Sequence, residues 1–402
     1  MHLQKKIMFV IGLQLPFHGA AWRRIEFFAR YLTLRNFETY VLSPRTFYFA
    51  CHGPNEEKRT QISYPFKLFV IPFKLHLCKS PFLTSLLEII NSIFMGVLVL
   101  IFKPKIVILS VPPFHYTPGI YIFSRLSNAK IIIDMRDPLD NTFIRYKKFR
   151  FINFIRRLYH AILYKLDAIL VVSKSMIHDL TKIMQPLSQK VYLMRNGVDL
   201  RVFKPIYELN IKETNEFKIF FMGRSIEGYN ISIVLKALSK LKEQGFNVYL
   251  YIAGTIDPMI LVEAKNLGVL GNVKYLGVLS TKELVKVMAK MDLAIVPYYN
   301  DKRYKYSLPA KFYEYIASGL PVLVIAPPYF EIVEIVKENE IGVWCPVNNE
   351  TCVILTIKQL YSNRQPLFKL KEKCLMFRNN IDRSKFAEEL LKVILKMLQK
   401  QI

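Results

Sequence analysis

The chain has 402 residues, with 57 Lys and Arg against 31 Asp and Glu, a formal charge of +26 and a mean hydropathy of +0.21. That length fits two domains of roughly 100–200 residues, with material for two cores that need no disulfide or metal staple. Charged residues at 22% with 13% aromatics exclude an intrinsically disordered chain, and 15 Gly with 21 Pro exclude a collagen-like or linker-like one. High apolarity joined to strong basicity implies an anionic counterpart, either a membrane surface or nucleic acid.

Lys5-Lys6 followed by residues 7–15 has the outline of a short secretory leader, but no A-x-A site follows, and Ile7–Gly12 reads as a buried first strand. Short apolar runs then alternate with helical patterns. Strands are expected at Thr39–Ser43, Ile106–Ser110, Lys130–Asp134, Ala168–Val172 and Val191–Met194 in the first half. In the second they are expected at Lys218–Met222, Val248–Ala253, Val273–Leu276, Leu293–Val296 and Val322–Ile325. Helical patterns separate nearly all of them, for example Ala21–Leu34, Ile231–Gln244, Thr281–Lys290 and Pro309–Ser318. The expected fold is therefore α/β, two doubly wound Rossmann-like domains. The break falls around 196–216, at the turn signal Asn196-Gly197 and the polar stretch Leu209–Glu216. This gives an N-terminal domain of residues 1–200 and a C-terminal domain of residues 201–402. The apolar-faced tail Arg383–Ile402 either closes the second domain or crosses back to the first.

The charge is uneven. Residues 1–200 hold 28 basic and 11 acidic side chains. Two windows in this half have no acid at all: Lys58–Leu87, with Tyr64, Phe66, Phe69, Phe73 and Phe82, and Asn141–Leu166, with Phe151, Phe154, Tyr159 and Tyr164 among its aromatics. Basic residues interleaved with aromatics fit a headgroup interface, a nucleic-acid contact or a solvated face. Between them Phe82–Phe102 is long enough to span a bilayer, but Glu88 would be costly there, so a helix packed on the sheet and touching lipid is the preferred reading. Cys51, Cys78, Cys345, Cys352 and Cys374 form no C-x-x-C and read as buried thiols in a reducing compartment.

Four segments carry chemistry. Gly19 lies in the first βα loop, which lacks a G-x-G-x-x-G fingerprint, and permits close backbone approach. Asp134-Met135-Arg136-Asp137-Pro138-Leu139-Asp140 ends a strand, where open α/β sheets bind ligands; it can orient an acceptor hydroxyl or act as loop-stapling ion pairs. Gly223-Arg224 ends another strand, where a guanidinium can neutralise a leaving phosphate. The segment Tyr306–Val322 predicts a short helix capped by Ser307, with Pro309 in its first turn and Gly319 at its end. Its N-terminus suits a diphosphate, with Lys311 adding charge and Glu314 three residues on, able to accept from a ribose diol or simply to pair with Lys311.

The order of these segments resembles the retaining, nucleotide-sugar-dependent group 1 (family 4) glycosyltransferases of GT-B fold, whose two Rossmann-like domains face a central cleft. The landmarks are the Gly19 loop, Val172-Ser173, Asn196-Gly197-Val198-Asp199 with Phe203 and Pro205, Gly223-Arg224, Ala253-Gly254, Leu276-Gly277 and Pro309-x-Lys311-x-x-Glu314-Tyr315. The resemblance implies hexose transfer from a UDP- or GDP-sugar to a glycan or lipid-linked acceptor, with retained configuration and neither metal nor further cofactor. It implies catalytic roles for Arg224, Glu314 and Asp137. Donor contacts would come from Gly223, Arg224, Gly277, Val278, Ser307, Leu308, Lys311 and Glu314, and acceptor contacts from Gly19, Arg136 and Asp137. Two positions depart: Tyr306 stands where the family's first glutamate falls, and Tyr229 where a lysine usually follows Gly-Arg. Lys311, Lys305 or Arg303 can supply the missing charge. The expected setting is the cytoplasmic face of an anionic membrane, peripherally bound. The second reading is a catalytically silent, membrane-associated scaffold of the same fold, and specific nucleic-acid binding has no signature motif to support it.

Overall fold

A computed structural model of the chain describes residues 5–12, 20–44, 63–71, 81–112, 114, 116–138, 152–183, 185–205, 215–224 and 229–399. Gly19 lies outside the described residues, as do Cys51, Cys78 and much of both basic windows. Two compact units emerge: residues 1–196 with 386–402, and residues 197–385.

The first unit is built on a parallel sheet of β1 (Lys6–Ile11), β2 (Glu38–Pro44), β3 (Lys67–Ile71), β4 (Ile106–Val111), β5 (Lys130–Met135), β6 (Ala168–Val171) and β7 (Val191–Leu193), ordered β3-β2-β1-β4-β5-β6-β7. Its helices are α1 (Ala20–Thr33), α2 (Pro81–Phe102), α3 (Thr117–Leu126), α4 (Ile152–Lys165) and α5 (Lys174–Ile183). The central strands are almost wholly buried Val, Ile and Leu, as expected of parallel strands covered on both faces.

The second unit orders β10-β9-β8-β11-β12-β13, from β8 (Phe217–Arg224), β9 (Val248–Thr255), β10 (Val273–Tyr275), β11 (Leu293–Pro297), β12 (Val322–Ile325) and β13 (Gly342–Cys345). Its helices are α6 (Ser232–Glu243), α7 (Pro258–Asn266), α8 (Thr281–Met288), α9 (Ala310–Ala317), α10 (Glu331–Glu338), α11 (Glu350–Ser362) and α12 (Gln365–Phe377), followed by α13 (Arg383–Gln399). In each sheet the strand order reverses once, between β1 and β4 and between β8 and β11. Such a reversal opens a crevice at the carboxyl ends of the strands.

The expected boundary at 200/201 moves. The chain leaves the first unit at Asn196 and returns to it at Phe386, so most of the tail helix belongs to the first unit and not the second. The reason is its apolar face: Ala387, Leu390, Ile394 and Leu398 complete the core formed by Trp22, Ile25 and Phe28 of α1. The two crossing segments are tied together, Val198 N–H donating to Ile381 O at 2.9 Å and Arg383 N–H to Val198 O at 2.9 Å.

Two edge strands were not expected. β3 lies inside the first basic window, where Phe66 and Tyr64 pack on Trp22 and Phe69 stacks on Tyr40. Those aromatics are core material, not a headgroup interface. In the second window Tyr159 is likewise buried, its hydroxyl donating to Phe114 O at 2.6 Å. No helix among the described residues is long and apolar enough to cross a membrane. Cys345 and Cys352 form a disulfide across seven residues, against the expectation of thiols, and Cys374 is a buried free thiol.

Asp134 is structural. Arg24, 0% exposed, donates from Nε and Nη2 to its two oxygens at 3.1 and 2.8 Å, and also to the carbonyls of Arg195 (2.6 Å) and Met194 (2.8 Å). The pair joins α1, β5 and the end of β7 and removes Asp134 from any ligand site. Breaking a buried pair strands one charge, so Asp134→Ala is expected to destabilise the protein by about 3–5 kcal/mol, and Arg24→Met with Asp134→Leu by much less. Urea unfolding measures both; a single-variant loss below ~1 kcal/mol would contradict a buried, load-carrying pair.

Candidate active site at the strand reversal of the second unit

Three glycines line the carboxyl edge of the second sheet. Gly223 and Gly254 are register partners on β8 and β9, with φ of +121° and +112°, and Gly254 N–H donates to Gly277 O at 2.7 Å. A Cβ on Gly254 would lie 2.4 Å from Gly223 O, so only glycine permits this approach. The landmarks Gly223-Arg224, Ala253-Gly254 and Leu276-Gly277 thus fall side by side, with Val278 exposed beyond them. Arg224 closes β8, its backbone paired to Thr255.

Beside Gly223 stands an unusual amine. Lys311 is 8% exposed, and its Nζ has no hydrogen-bond partner among the described residues. It lies 3.6 Å from the ring centroid of Tyr229 and 3.9 Å from that of Phe221, and 3.1 Å from where a Gly223 Cβ would be. Burial pushes its pKa well below the ordinary lysine value, while the charge of Glu314 works the other way. The two aromatic faces also favour the ammonium. Tyr229 is held at the strand reversal by a bridge to Tyr298, just past β11, and burial raises the pKa of both phenols. Tyr229 also borders a cavity of about 370 Å³ lined by Ser232, Asp257, Glu263 and Tyr299.

Helix α9 supplies Lys311 and Glu314 from one buried face. It starts one residue later than expected: Pro309, extended at ψ 149°, is the N-cap and no side chain caps the helix. Ser307 therefore is not the cap. Its carbonyl instead accepts from Tyr298 Oη at 3.1 Å, which fixes the loop ahead of the helix, and Leu308 is buried in the core. Gly319 sits at φ +76° after the helix, as expected. Tyr315 ties the helix to the sheet, its hydroxyl accepting from Met222 N–H at 2.8 Å. Phe221 and Tyr298 were not foreseen, and Tyr315 stood only as part of the helix landmark; the one signal was an aromatic-rich composition around 298–315. Of the other two candidate cations, Arg303 is committed to Asp301 (Nε–Oδ2 2.7 Å), and Lys305 lies over the Tyr306 ring at 5.1 Å. Glu314 is 5% exposed.

The acceptor-side candidates fall on the first unit. Arg136 follows β5, its Nη2 donating to Pro112 O at 2.8 Å, and Asp137 beside it is exposed. Among the described residues no three His, Cys, Asp or Glu gather as metal ligands.

Residues 206–383 match the family model described as Glycosyl transferases group 1. The whole chain superposes on solved structures. One is a glycosyltransferase from Rickettsia africae ESF-5, at TM-score 0.72 and 16% identity, covering 99% of each chain. Another is Anabaena HepE in complex with UDP, at TM-score 0.68 and 14% identity, covering 97% of this chain and 100% of that one. A third is sucrose-phosphate synthase from Thermosynechococcus elongatus, at TM-score 0.76 and 12% identity, covering 98% and 100%. At such identities the likeness is one of fold, and the fold is GT-B. No curated protein sequence matches the chain. The structural likenesses establish a GT-B fold, and the family match falls on the part of the chain that carries the candidate site. More narrowly, the residues similar to the group 1 glycosyltransferase model all lie within the second unit.

Because burial lowers the Lys311 pKa in the folded state, the unfolded chain binds more protons between the two pKa values and stability rises with pH across that window. Lys311→Met is expected to stabilise the protein by about 1–3 kcal/mol at neutral pH. That gain should shrink as pH approaches about 10, where the amine is neutral in both states. Thermal unfolding at a series of pH values reads it; a destabilised variant at every pH would contradict an unpartnered amine.

Proposed function

We propose that the protein transfers a hexose from a UDP- or GDP-sugar to a glycan or lipid-linked acceptor, with retention of configuration and without a protein-held metal. The observation that carries the donor half is Lys311: a buried amine without a hydrogen-bond partner among the described residues, at the strand reversal, beside a glycine edge and in the first turn of α9. A diphosphate fits the amine, the N–H groups of the helix start and the nearby backbone.

In this reading Lys311 replaces the lysine that the resemblance places at 229. Its amine already lies against Tyr229, so the charge arrives from α9 instead of from the loop after β8. Arg224 assists at the diphosphate, Glu314 accepts from the donor ribose, and Gly277 with Val278 supports the base. The acceptor hydroxyl attacks the anomeric carbon on the face the diphosphate leaves. The C–O bond to phosphate breaks as the new glycosidic bond forms, and the acceptor proton passes to a phosphate oxygen. Held donors that meet the growing negative charge without reorganising lower that barrier. Arg136 and Asp137 of the first unit take the acceptor side, on the cytoplasmic face of a membrane. Anabaena HepE, similar in fold, was solved with UDP.

The scaffold reading keeps one observation in its favour, Tyr306 in place of an acid. A panel of radiolabelled nucleotide sugars with a membrane extract separates the two. Transfer from one donor, abolished in Glu314→Ala and Arg224→Ala, is expected; binding of no nucleotide sugar would establish the scaffold. The cation assignment has its own test. Lys311→Met should weaken UDP binding about tenfold to a hundredfold, and adding Tyr229→Lys should recover most of it. Unchanged UDP affinity in Lys311→Met would remove Lys311 from the site.

A further inference from the structure

We propose that the outer face of α2, continued by α3 and α4, is a docking surface for an anionic lipid bilayer. The inference rests on the proposed function only for the idea that the acceptor is lipid-borne; the surface itself stands on geometry.

Between Ile90 and Phe102, α2 is inside out. Its polar and small residues Asn91, Ser92 and Gly96 point inward: Ser92 and Asn91 are buried, and a Cβ on Gly96 would strike the Phe123 ring at 2.0 Å. A Cβ on Gly119 of α3 would meet Ser92 Oγ at 2.4 Å, so the two helices touch through their smallest residues. On the opposite arc Ile90, Ile93, Phe94, Val97 and Ile101 are all exposed, Ile101 at 64%. At helical spacing these five share one face and form a stripe about 16 Å long. Next to it α3 exposes Ile122 and Leu126, the latter at 69%, and α4, which packs on α3, exposes Leu158 and Tyr164.

Single exposed apolar residues are ordinary, but a continuous stripe backed by buried polar groups is not. Sheet packing does not account for it either, since Met95 and Val99 already do that work from the buried side. The charge around the stripe selects the occupant. Lys103 and Lys105 are exposed directly after α2, and Arg157 and Lys165 are exposed beside Leu158 and Tyr164. From Glu88 to Asp167 the sequence has 12 Lys and Arg against five acids, of which Asp134 is paired with Arg24 and Asp167 with Arg125 and Lys130. A second copy would set like charge against like charge around the stripe, whereas anionic headgroups complement it. The helix lies on the sheet and no described helix is fit to span, so the stripe rests in the headgroup boundary with lysines reaching to phosphates.

The test uses the full chain with vesicles of phosphatidylcholine containing about one third phosphatidylglycerol, the anionic fraction being what the basic rim reads. The wild-type protein should co-sediment with these vesicles, less so at high salt, and weakly with phosphatidylcholine alone. Ile93→Glu with Val97→Glu should lower the partition at least tenfold while UDP-sugar hydrolysis in vesicle-free buffer stays at the wild-type level. Phe94→Trp, which keeps the helix intact, should shift its emission to the blue on adding anionic vesicles. No blue shift, or co-sedimentation unaffected by the glutamates, overturns the surface. A dimer in sedimentation velocity that the glutamates dissolve, with no vesicle binding, assigns the stripe to self-association and also overturns it. Vesicle binding with no hydrolysis of any nucleotide sugar would leave the surface standing and sink the enzymatic reading, so the two fail separately.

Discussion

An amine buried among aromatic rings with nothing to hydrogen-bond is unfavourable on its own terms. Desolvation disfavours its charged form, and the neutral form leaves an unmet donor. Yet the second unit builds this arrangement from three elements at once. β8 contributes Phe221 and the bare edge at Gly223, the bridge to Tyr298 positions Tyr229, and α9 delivers Lys311 in its first turn. Tyr298 then fixes Ser307 ahead of that helix, and Tyr315 fixes Met222 behind the strand. A buried titratable group with a displaced pKa beside a sheet's strand reversal is the kind of feature that marks functional sites.

The first unit handles its buried charge in the opposite way. Arg24 is satisfied on every side, by both oxygens of Asp134 and by two carbonyls, so the pair is closed to ligands and serves to hold α1 against β5. An acid at the end of a strand next to Arg136 and Asp137 looks like part of a site when only the sequence is seen. Its partner 110 residues away settles that it is a strut. The same unit carries the inverted helix α2, where the polar residues serve packing and the apolar ones face outward.

Much of the fold was legible in the sequence because parallel strands buried on both faces are written as unbroken Val and Ile runs. β5 and β12 fall within a residue of expectation for that reason. β3 does not stand out in the sequence because it is an edge strand with Lys67 exposed on it, in a window whose mixed basic and aromatic residues fit several readings. β13 is short and carries Gly342 and Trp344, which break the apolar run. The tail helix showed its apolar face but not which core would take it. In the site, Lys311 and Glu314 could be named from their spacing on a short helix and Gly223 from its place at a strand end, whereas Gly277 came only with the resemblance. The aromatic cage could not, since Phe221 reads as core and Tyr229 as a missing lysine until their rings are seen around one nitrogen.

That nitrogen is open to a direct measurement. Calorimetric titration of UDP into the protein, in two buffers of different ionisation enthalpy and at several values between about pH 7 and 9, counts the protons taken up on binding. A diphosphate that draws Lys311 into its ammonium form gives net uptake in the wild-type protein and none in Lys311→Met. UDP bound with no proton uptake by the wild-type protein at any of these pH values would contradict a buried Lys311 of lowered pKa as the cation of the donor site.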